Sequence, residues 1–386
     1  MKILHVIPSY VPAYRYGGPL RAVFGLAEAQ VQAGDEVTVF TTDADGPERL
    51  NVESERAVKV GSHSAYYFRV SFPRRLHRAP RMVASLRRQL PGFDLVHLHS
   101  VFLWPTLAAA REARRARRPY VVSPRGMLVN ELIAGRGSFR KRAWLALFEK
   151  RTLARCSRIV VTSELERVEI CRLGLDLAPI REVPNGIDPE VLRRPDPSEV
   201  SEAVSTAIRS GPYLLFLGRI SWKKGLERLV RVASRGTLRL ILAGPDDEGL
   251  ESRLRALASE LQAGSRVEFL GEVRGVDRAA LLHEARALVL PSSSENFGNS
   301  ALEAMACGAP VILTPGVGLA GLVERAQAGW VVAGDEALLS VLQLVSARPD
   351  LAAAAGERGR EVVRESFDWE SIARRMADVY REAMPA

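Results

Sequence analysis

Cysteine is scarce in this sequence: three in 386 residues, at positions 156, 171 and 307. They lie far apart with no C-x-x-C pair, which supports neither a disulfide framework nor a zinc knuckle and fits a reducing compartment. Long apolar runs are missing too. No stretch of about 18 uncharged apolar residues occurs, and the opening Met1 to Tyr10 is too short and interrupted for a secretory core, so neither an integral membrane nor an exported protein is expected. No short-period repeat, low-complexity tract or aromatic–basic interleaving appears, and no nucleic acid is expected as a partner.

What is present is an ordinary globular composition, 47% hydrophobic and 26% charged, with chain enough for about two domains of roughly 150 residues each. The net charge of +9 is unevenly placed. Residues 1–190 hold 30 Lys+Arg and 19 Asp+Glu, so all the excess lies in the first half and the remainder is slightly acidic. Arg69, Arg74, Arg75, Arg78, Arg81, Arg87 and Arg88 fall in one acid-free stretch, and Arg111 to Arg118 add five more arginines. Such clusters suit an anionic surface. An arginine-rich genome is the competing explanation.

Short β-branched runs alternate with longer helical periods, the pattern of parallel βα units. Strands are predicted near 2–7, 36–42, 94–99, 119–123 and 158–162, then near 213–217, 238–243, 267–270, 286–290, 310–314 and 330–333. The turn cluster Pro184 to Pro189 and the polar, proline-bearing stretch 193–212 separate the two sets. The fold class is therefore α/β, with two doubly wound Rossmann-like domains. Ligands of such sheets sit beyond the carboxyl ends of the strands, where Gly-rich turns lead into helices.

One such turn stands out, Pro291-Ser-Ser-Ser-Glu295-Asn-Phe297-Gly298-Asn299-Ser300-Ala-Leu-Glu303-Ala-Met-Ala-Cys-Gly-Ala-Pro310. It follows an apolar strand and enters a helix near 299–306. Gly298 lets the backbone approach a ligand, and the first-turn amides of 298–300 offer a phosphate the positive end of the dipole. Glu303, about a turn into the helix, could accept two hydrogen bonds from a vicinal diol such as a ribose, with Glu295 reaching a second polyol. The second set of strands opens with Gly218-Arg219-Ile-Ser-Trp-Lys223-Lys224-Gly225, again strand, turn, helix. Two cations on a flexible loop can embrace a diphosphate as a bond to it breaks.

The 295–303 segment resembles the E-x7-E signature of the retaining GT-B glycosyltransferases of family 4, and Gly218 to Gly225 is similar to their pyrophosphate clamp. The resemblance spans nearly the whole chain. It implies a GT-B architecture, two facing domains with a cleft between them: an acceptor-side domain at 1–190, a nucleotide-sugar donor domain at 191–366, and a C-terminal helix, 367–386, packing back on the first. It implies that Glu295 contacts the transferred sugar, Glu303 holds the ribose, the backbone of Phe297, Gly298, Asn299 and Ser300 receives the donor phosphate, and Arg219 and Lys224 form the clamp, with Lys223 the alternative to its neighbour. Gly17 and Gly18 resemble the family's Gly-rich loop approaching the donor from the first domain.

His97 and His99 end a strand on one face. A metal pair would need a third ligand, none of which is near in sequence; His97 reads as packed and His99 as an acceptor-side candidate. Arg125 stands where several relatives carry His. It cannot serve as a base near neutral pH, so its expected role is binding sugar hydroxyls or phosphate. Asp43-Ala-Asp45 falls in a turn and Asp246-Asp247 before a helix, so both read as structural. No metal and no cofactor are expected, the nucleotide sugar being a substrate. Residues 138–155 read as a basic amphipathic helix with Trp144, Leu145, Leu147 and Phe148 apolar; packing on its own domain is the alternative, but with the arginine clusters at 74–88 and 111–118 an anionic membrane surface is the expected partner of the first domain.

The expectation is a retaining hexosyltransferase passing sugar from GDP-mannose or a UDP-hexose to a lipid-linked saccharide acceptor, by front-face attack, in exopolysaccharide or lipopolysaccharide synthesis at the cytoplasmic face of the membrane. Two rivals stand beside it: another GT-B enzyme, such as a sugar-nucleotide epimerase or a phosphorylase, and a non-catalytic nucleotide- or polyanion-binding protein.

Overall fold

A computed structural model describes residues 1–129, 133 and 138–384. It divides into two compact units, Met1–Gly186 with Trp369–Ala386, and Ile187–Asp368. The first unit thus ends four residues before the expected 190 and regains the chain at 369 rather than 367. Packing sets both points: a Cβ on Gly186 would come within 2.5 Å of the Trp369 ring, so only glycine lets these two strands of chain meet.

The first unit carries an eight-stranded sheet in the order β10-β9-β8-β7-β1-β2-β6-β5, built from β1 (Lys2–Val6), β2 (Glu36–Thr42), β5 (Ala57–Val60), β6 (His63–Phe68), β7 (Leu95–His99), β8 (Tyr120–Ser123), β9 (Arg158–Val161) and β10 (Ile180–Glu182). Only the β5–β6 pair is antiparallel. A two-stranded ribbon, β3 (Ala44–Asp45) and β4 (Glu48–Arg49), lies outside it. Alternation along the central strands decides what each helical layer covers. Leu4, Val6, Val96 and Leu98 join one apolar cluster with Met82 and Leu86. Ile3, Leu95 and Val121 point the other way, to Ile372 and Met376 of the last helix, Trp369–Ala383. His5 and His97 share that second parity and are wholly buried.

The second unit is a six-stranded, all-parallel sheet in the order β13-β12-β11-β14-β15-β16: β11 (Tyr213–Leu217), β12 (Arg239–Ala243), β13 (Val267–Gly271), β14 (Ala287–Leu290), β15 (Val311–Leu313) and β16 (Gly329–Val331). Its core is one continuous cluster. Tyr213 to Leu217 is buried at every position, as expected of a strand covered on both faces.

Five strands escape the periodicity, the two-residue β3 and β4 and three strands of the main sheet. β5 and β6 lie next to the arginine-rich stretch and form the edge hairpin, where polar residues alternate with buried ones, and β10 is a three-residue edge strand with exposed Arg181 and Glu182. The 138–155 helix is also different in kind. It runs as Ser138–Trp144, a π-helical turn at Leu145–Glu149, and Lys150–Arg155. Its apolar residues divide: Leu145 is in the core, Trp144 Nε1 donates to buried Glu149 at 2.9 Å and Phe148 lies under Arg111, whereas Leu147 is 69% exposed. Among the described residues no single helix is long and apolar enough to cross a membrane.

Candidate active site

In the second unit β11 and β14 are sheet neighbours at the point where the strand order reverses. The loops leaving Leu217 and Leu290 therefore emerge side by side, where open parallel sheets hold ligands. They are stitched together. Ser293 N–H donates to the Lys223 carbonyl at 3.0 Å, and Lys224 forms an ion pair with Glu295. Gly225 makes this approach feasible: at φ +64° its Cβ, if present, would lie 2.4 Å from the Pro291 carbonyl oxygen.

The backbone of Glu295 is held from its other side. Its N–H donates to Gly316 O at 2.8 Å and its carbonyl accepts from Gly318 N–H at 2.9 Å, while Phe297 O accepts from Leu319 N–H at 3.0 Å. The segment Thr314 to Leu319 is thus the splint for the 295–298 turn. Phe297 buries its ring in the core, and Gly298 begins the helix Asn299–Ala306 at φ +101°, with no side-chain cap bond on that end. Asn299 and Ser300 are half-buried in its first turn.

Glu303, expected to receive a diol, is engaged by the protein itself. Its side chain is only 8% exposed and forms an ion pair with Arg278 of the helix Gly275–Glu284, which also lies 3.5 Å from Asp188. Burial would lower the guanidinium's proton affinity, but the carboxylates of Glu303 and Asp188 prevail and raise it. Arg278 is the residue sequence reasoning missed; it sits 25 positions from Glu303 with no motif around it. Arg219 follows β11 and is exposed.

In the first unit the order reverses between β1 and β7. After β1 the chain reaches Gly17, whose N–H bonds to Tyr14 O at 2.9 Å, and the helix Gly18–Gln32 begins with Pro19 in its first turn and no side-chain cap bond. Beyond β7 and β8, three non-glycine residues adopt left-handed backbone: Ser100 at φ +75°, Phe102 at +62° and Arg125 at +56°. Strain of this kind concentrates at functional sites. Arg125 Nη1 donates to Asn185 Oδ1 at 2.8 Å and Nη2 to His99 Nδ1 at 3.3 Å, while its buried Nε has no partner. Burial pushes its pKa down to about 10 although the Glu166 charge opposes this.

His99, expected to face an acceptor, is wholly buried. Its ring lies beside His97 and His5 because all three belong to adjacent central strands of one parity. The third histidine that sequence spacing did not supply is thus His5, some 90 positions away; one ring nitrogen from each lies within 4.8 Å of the others. The Asp43 and Asp45 carboxylates are taken by structure: Asp43 accepts from Val70 N–H at 2.8 Å and pairs with Arg49, and Asp45 pairs with Arg15. Asp246 caps the Glu251–Glu260 helix through the amides of Leu250 and Glu251.

Two doubly wound units whose loops present cations, carboxylates and a helix N-terminus at the reversal point define a glycosyltransferase of GT-B architecture. Residues 199–362 match the family of glycosyl transferases group 1, and residues 16–191 match glycosyltransferase family 4. The chain belongs to this family and is an enzyme of that class. A glycosyltransferase of Methanocaldococcus jannaschii is 28% identical over 100% of this chain and 99% of its own. A D-inositol 3-phosphate glycosyltransferase of Saccharomonospora viridis is 29% identical over 77% of this chain and 72% of its own. Among solved structures, the sucrose-phosphate synthase of Thermosynechococcus elongatus superposes with a TM-score of 0.79 at 25% identity, covering 99% of this chain and 98% of that one. Anabaena HepE in complex with UDP and glucose gives 0.76 at 20% identity, covering 99% of each.

Proposed function

We propose that this glycosyltransferase is a retaining hexosyltransferase that takes a hexose from GDP-mannose or a UDP-hexose and passes it to a lipid-linked saccharide in cell-surface polysaccharide synthesis. The observation that carries the reading is the second unit's reversal point, where Lys224 and Glu295 pair beside the uncapped helix bearing Glu303. Glu295 orients the donor sugar, Glu303 takes the ribose, and Gly17 and Gly18 approach the donor from the first unit's own loop. As the glycosidic bond breaks, Arg219, Lys224 and the amides of Phe297 to Ser300 take up the charge of the departing diphosphate, which makes a metal dispensable. Glu295 is committed to Lys224, and no second carboxylate of these loops is set up as its acid partner. Front-face attack, with the acceptor hydroxyl passing its proton to a leaving phosphate oxygen, fits this better than a covalent intermediate.

Arg125 is the acceptor-side cation in this reading, with sugar hydroxyls or a phosphate as its ligand. HepE, solved with UDP-glucose, and WaaG, a glycosyltransferase involved in lipopolysaccharide biosynthesis, favour the donor class and the cell-surface role. The test is a panel of nucleotide sugars with membrane lipid extract as acceptor, scored by nucleoside diphosphate release with and without EDTA. Acceptor-dependent release that survives EDTA and falls in Glu295→Ala is expected. Donor consumption without acceptor, or dependence on inorganic phosphate, would establish the epimerase or phosphorylase rival, and nucleotide binding without turnover the non-catalytic one.

A second reading concerns the membrane. Phe72 is 87% exposed among Arg69, Arg74 and Arg75, and Phe139 is 82% exposed beside Arg140. Exposed aromatics set among cations suit an anionic lipid surface. Co-sedimentation with vesicles of phosphatidylcholine and phosphatidylglycerol should fall several-fold in Phe72→Ser/Phe139→Ser; equal binding by the variant removes this reading.

A further inference from the structure

The buried histidines of the first unit belong to a longer chain of hydrogen bonds whose direction can be worked out. Its links are Arg125 Nη2 to His99 Nδ1 at 3.3 Å, His99 Nε2 to His5 Nδ1 at 2.9 Å, His5 Nε2 to Gln30 Oε1 at 2.8 Å, Gln30 Nε2 to Tyr380 OH at 3.2 Å, Tyr380 OH to His97 Nδ1 at 2.7 Å, and His97 Nε2 to Ser123 Oγ at 2.8 Å. A guanidinium can only donate, so His99 Nδ1 must carry the lone pair. In a neutral ring the proton is then on Nε2, which donates to His5 Nδ1. His5 in turn holds its proton on Nε2 and donates to the Gln30 carbonyl oxygen. The Gln30 amide then donates to the Tyr380 oxygen, Tyr380 spends its single proton on His97 Nδ1, and His97 donates to Ser123.

Only this order satisfies every member. Turning the Gln30 amide round would reverse each imidazole and leave a His99 N–H facing the Arg125 N–H. Burial holds all three rings far below the usual histidine pKa, His5 to about 3, with neighbouring charges reinforcing it for His97 and His99. The same cluster has the proximity of a three-histidine metal site. Every ring nitrogen is already spoken for, however, and the Arg125 cation lies against one of the rings.

We infer that Tyr380, on the last helix, is a positioning residue for Arg125: through Gln30, His5 and His99 it fixes the tautomer that accepts the guanidinium and so aims the group that meets the acceptor. This rests on the reading of Arg125 as an acceptor contact. The chain also explains why the last helix belongs to this unit, since Tyr380 bridges Gln30 of the helix after β1 and His97 of β7. Losing its hydroxyl would leave the Gln30 amide without an acceptor and His97 Nδ1 without a donor, freeing Gln30 to turn and His99 to change tautomer.

The test is imidazole 15N NMR on the full-length protein, titrated with inorganic phosphate as the probe and read at the three rings. In the wild type His5, His97 and His99 should all be neutral Nε2–H tautomers, and phosphate should shift the His99 resonances. Arg125→Ala should abolish that shift, and Tyr380→Phe should weaken phosphate binding about fivefold while the His99 tautomer becomes mixed. A wild-type His99 protonated on Nδ1 overturns the inference, and this holds even if Tyr380→Phe does not fold. So does Tyr380→Phe binding phosphate as tightly as the wild type while Arg125→Ala does not. If Arg125→Ala itself binds like the wild type, Arg125 is not a ligand contact, and the positioning role falls with that reading.

Discussion

At the reversal point of the second unit, charge is met by charge: Lys224 with Glu295, and Arg278 with Glu303. At the corresponding place in the first unit, three imidazoles, an amide, a phenol and a guanidinium are joined by hydrogen bonds with no carboxylate in the chain. Five of the six histidines, His5, His63, His77, His97 and His99, lie in that first unit. The same topology thus supports two electrostatic designs. In the second unit Lys224 and Arg278 are each held by a carboxylate counter-ion. In the first unit the half-buried Arg125, with no ion pair among the described residues, is oriented through neutral partners.

The sharpest test of this contrast is acid. His5, His97 and His99 are held neutral in the folded state, whereas in the unfolded chain they titrate near 6.5. Their folded pKa values are depressed, so the unfolded state binds more protons below pH 6.5 and stability must fall as pH falls through that value. At pH 5 each such imidazole costs about 2 kcal/mol by linkage. The second unit has only His283, also lowered by burial but partly exposed. Hydrogen exchange resolved by peptide should therefore show residues 1–186 and 369–384 opening first between pH 6.5 and 5. Simultaneous opening of both units would end the comparison.

Next in size is Arg278→Ala. Removing a partly buried cation leaves Glu303 uncompensated, an effect of about 3–5 kcal/mol. Chemical denaturation should show that loss, and donor KM should rise about tenfold. Adding Glu303→Gln should restore much of the stability and none of the donor affinity. Recovery of both would mean that Glu303 does not touch the donor.

How much of this was legible in the sequence follows the same division. The second unit's donor loops are local: Glu295, Gly298 and Glu303 lie within nine positions after an apolar strand, and Arg219, Lys224 and Gly225 within seven after another. Turn and helix-start chemistry marks the two segments, and the family resemblance assigns the residues in them. The partners that complete them, Arg278 and the Thr314 to Leu319 splint, come from other βα units and carry no spacing signal. In the first unit nothing is local. Alternation placed His97 and His99 on one face, but His5, Gln30 and Tyr380 reach them only through sheet order and the return of the last helix. The arginine clusters show the same limit: Arg87 and Arg115 converge on the buried Glu112 carboxylate, so part of what reads as an anion-binding surface is internal pairing.

Lys224 and Glu295 come third, and they separate chemistry from stability. Both side chains are about one-fifth to one-quarter exposed, so the pair contributes little to folding, on the order of 1 kcal/mol or less. Electrostatic contacts to a departing diphosphate are another matter, and losing one costs roughly a hundred- to a thousandfold in kcat. In the proposed reading Lys224→Ala should show that loss in nucleoside diphosphate release, and Glu295→Gln, which loosens the donor sugar instead, should also slow release, each with a melting temperature within a few degrees of the wild type.

The smallest expected effect is the most discriminating for the basic half. Arg87 is 61% exposed and pairs with Glu112 from its open side, so Arg87→Ala should change stability by less than about 1 kcal/mol. Glu112→Ala should cost more, because it strips Arg87 and Arg115 of their shared acceptor and opens a buried position on the helix Trp104–Arg115. If the cluster serves mainly to bind lipid, Arg87→Ala will weaken vesicle binding at low salt while Glu112→Ala strengthens it by freeing two cations. If it serves mainly to pack two helices, vesicle binding will be the same in both, and only the melting curves will tell the variants apart.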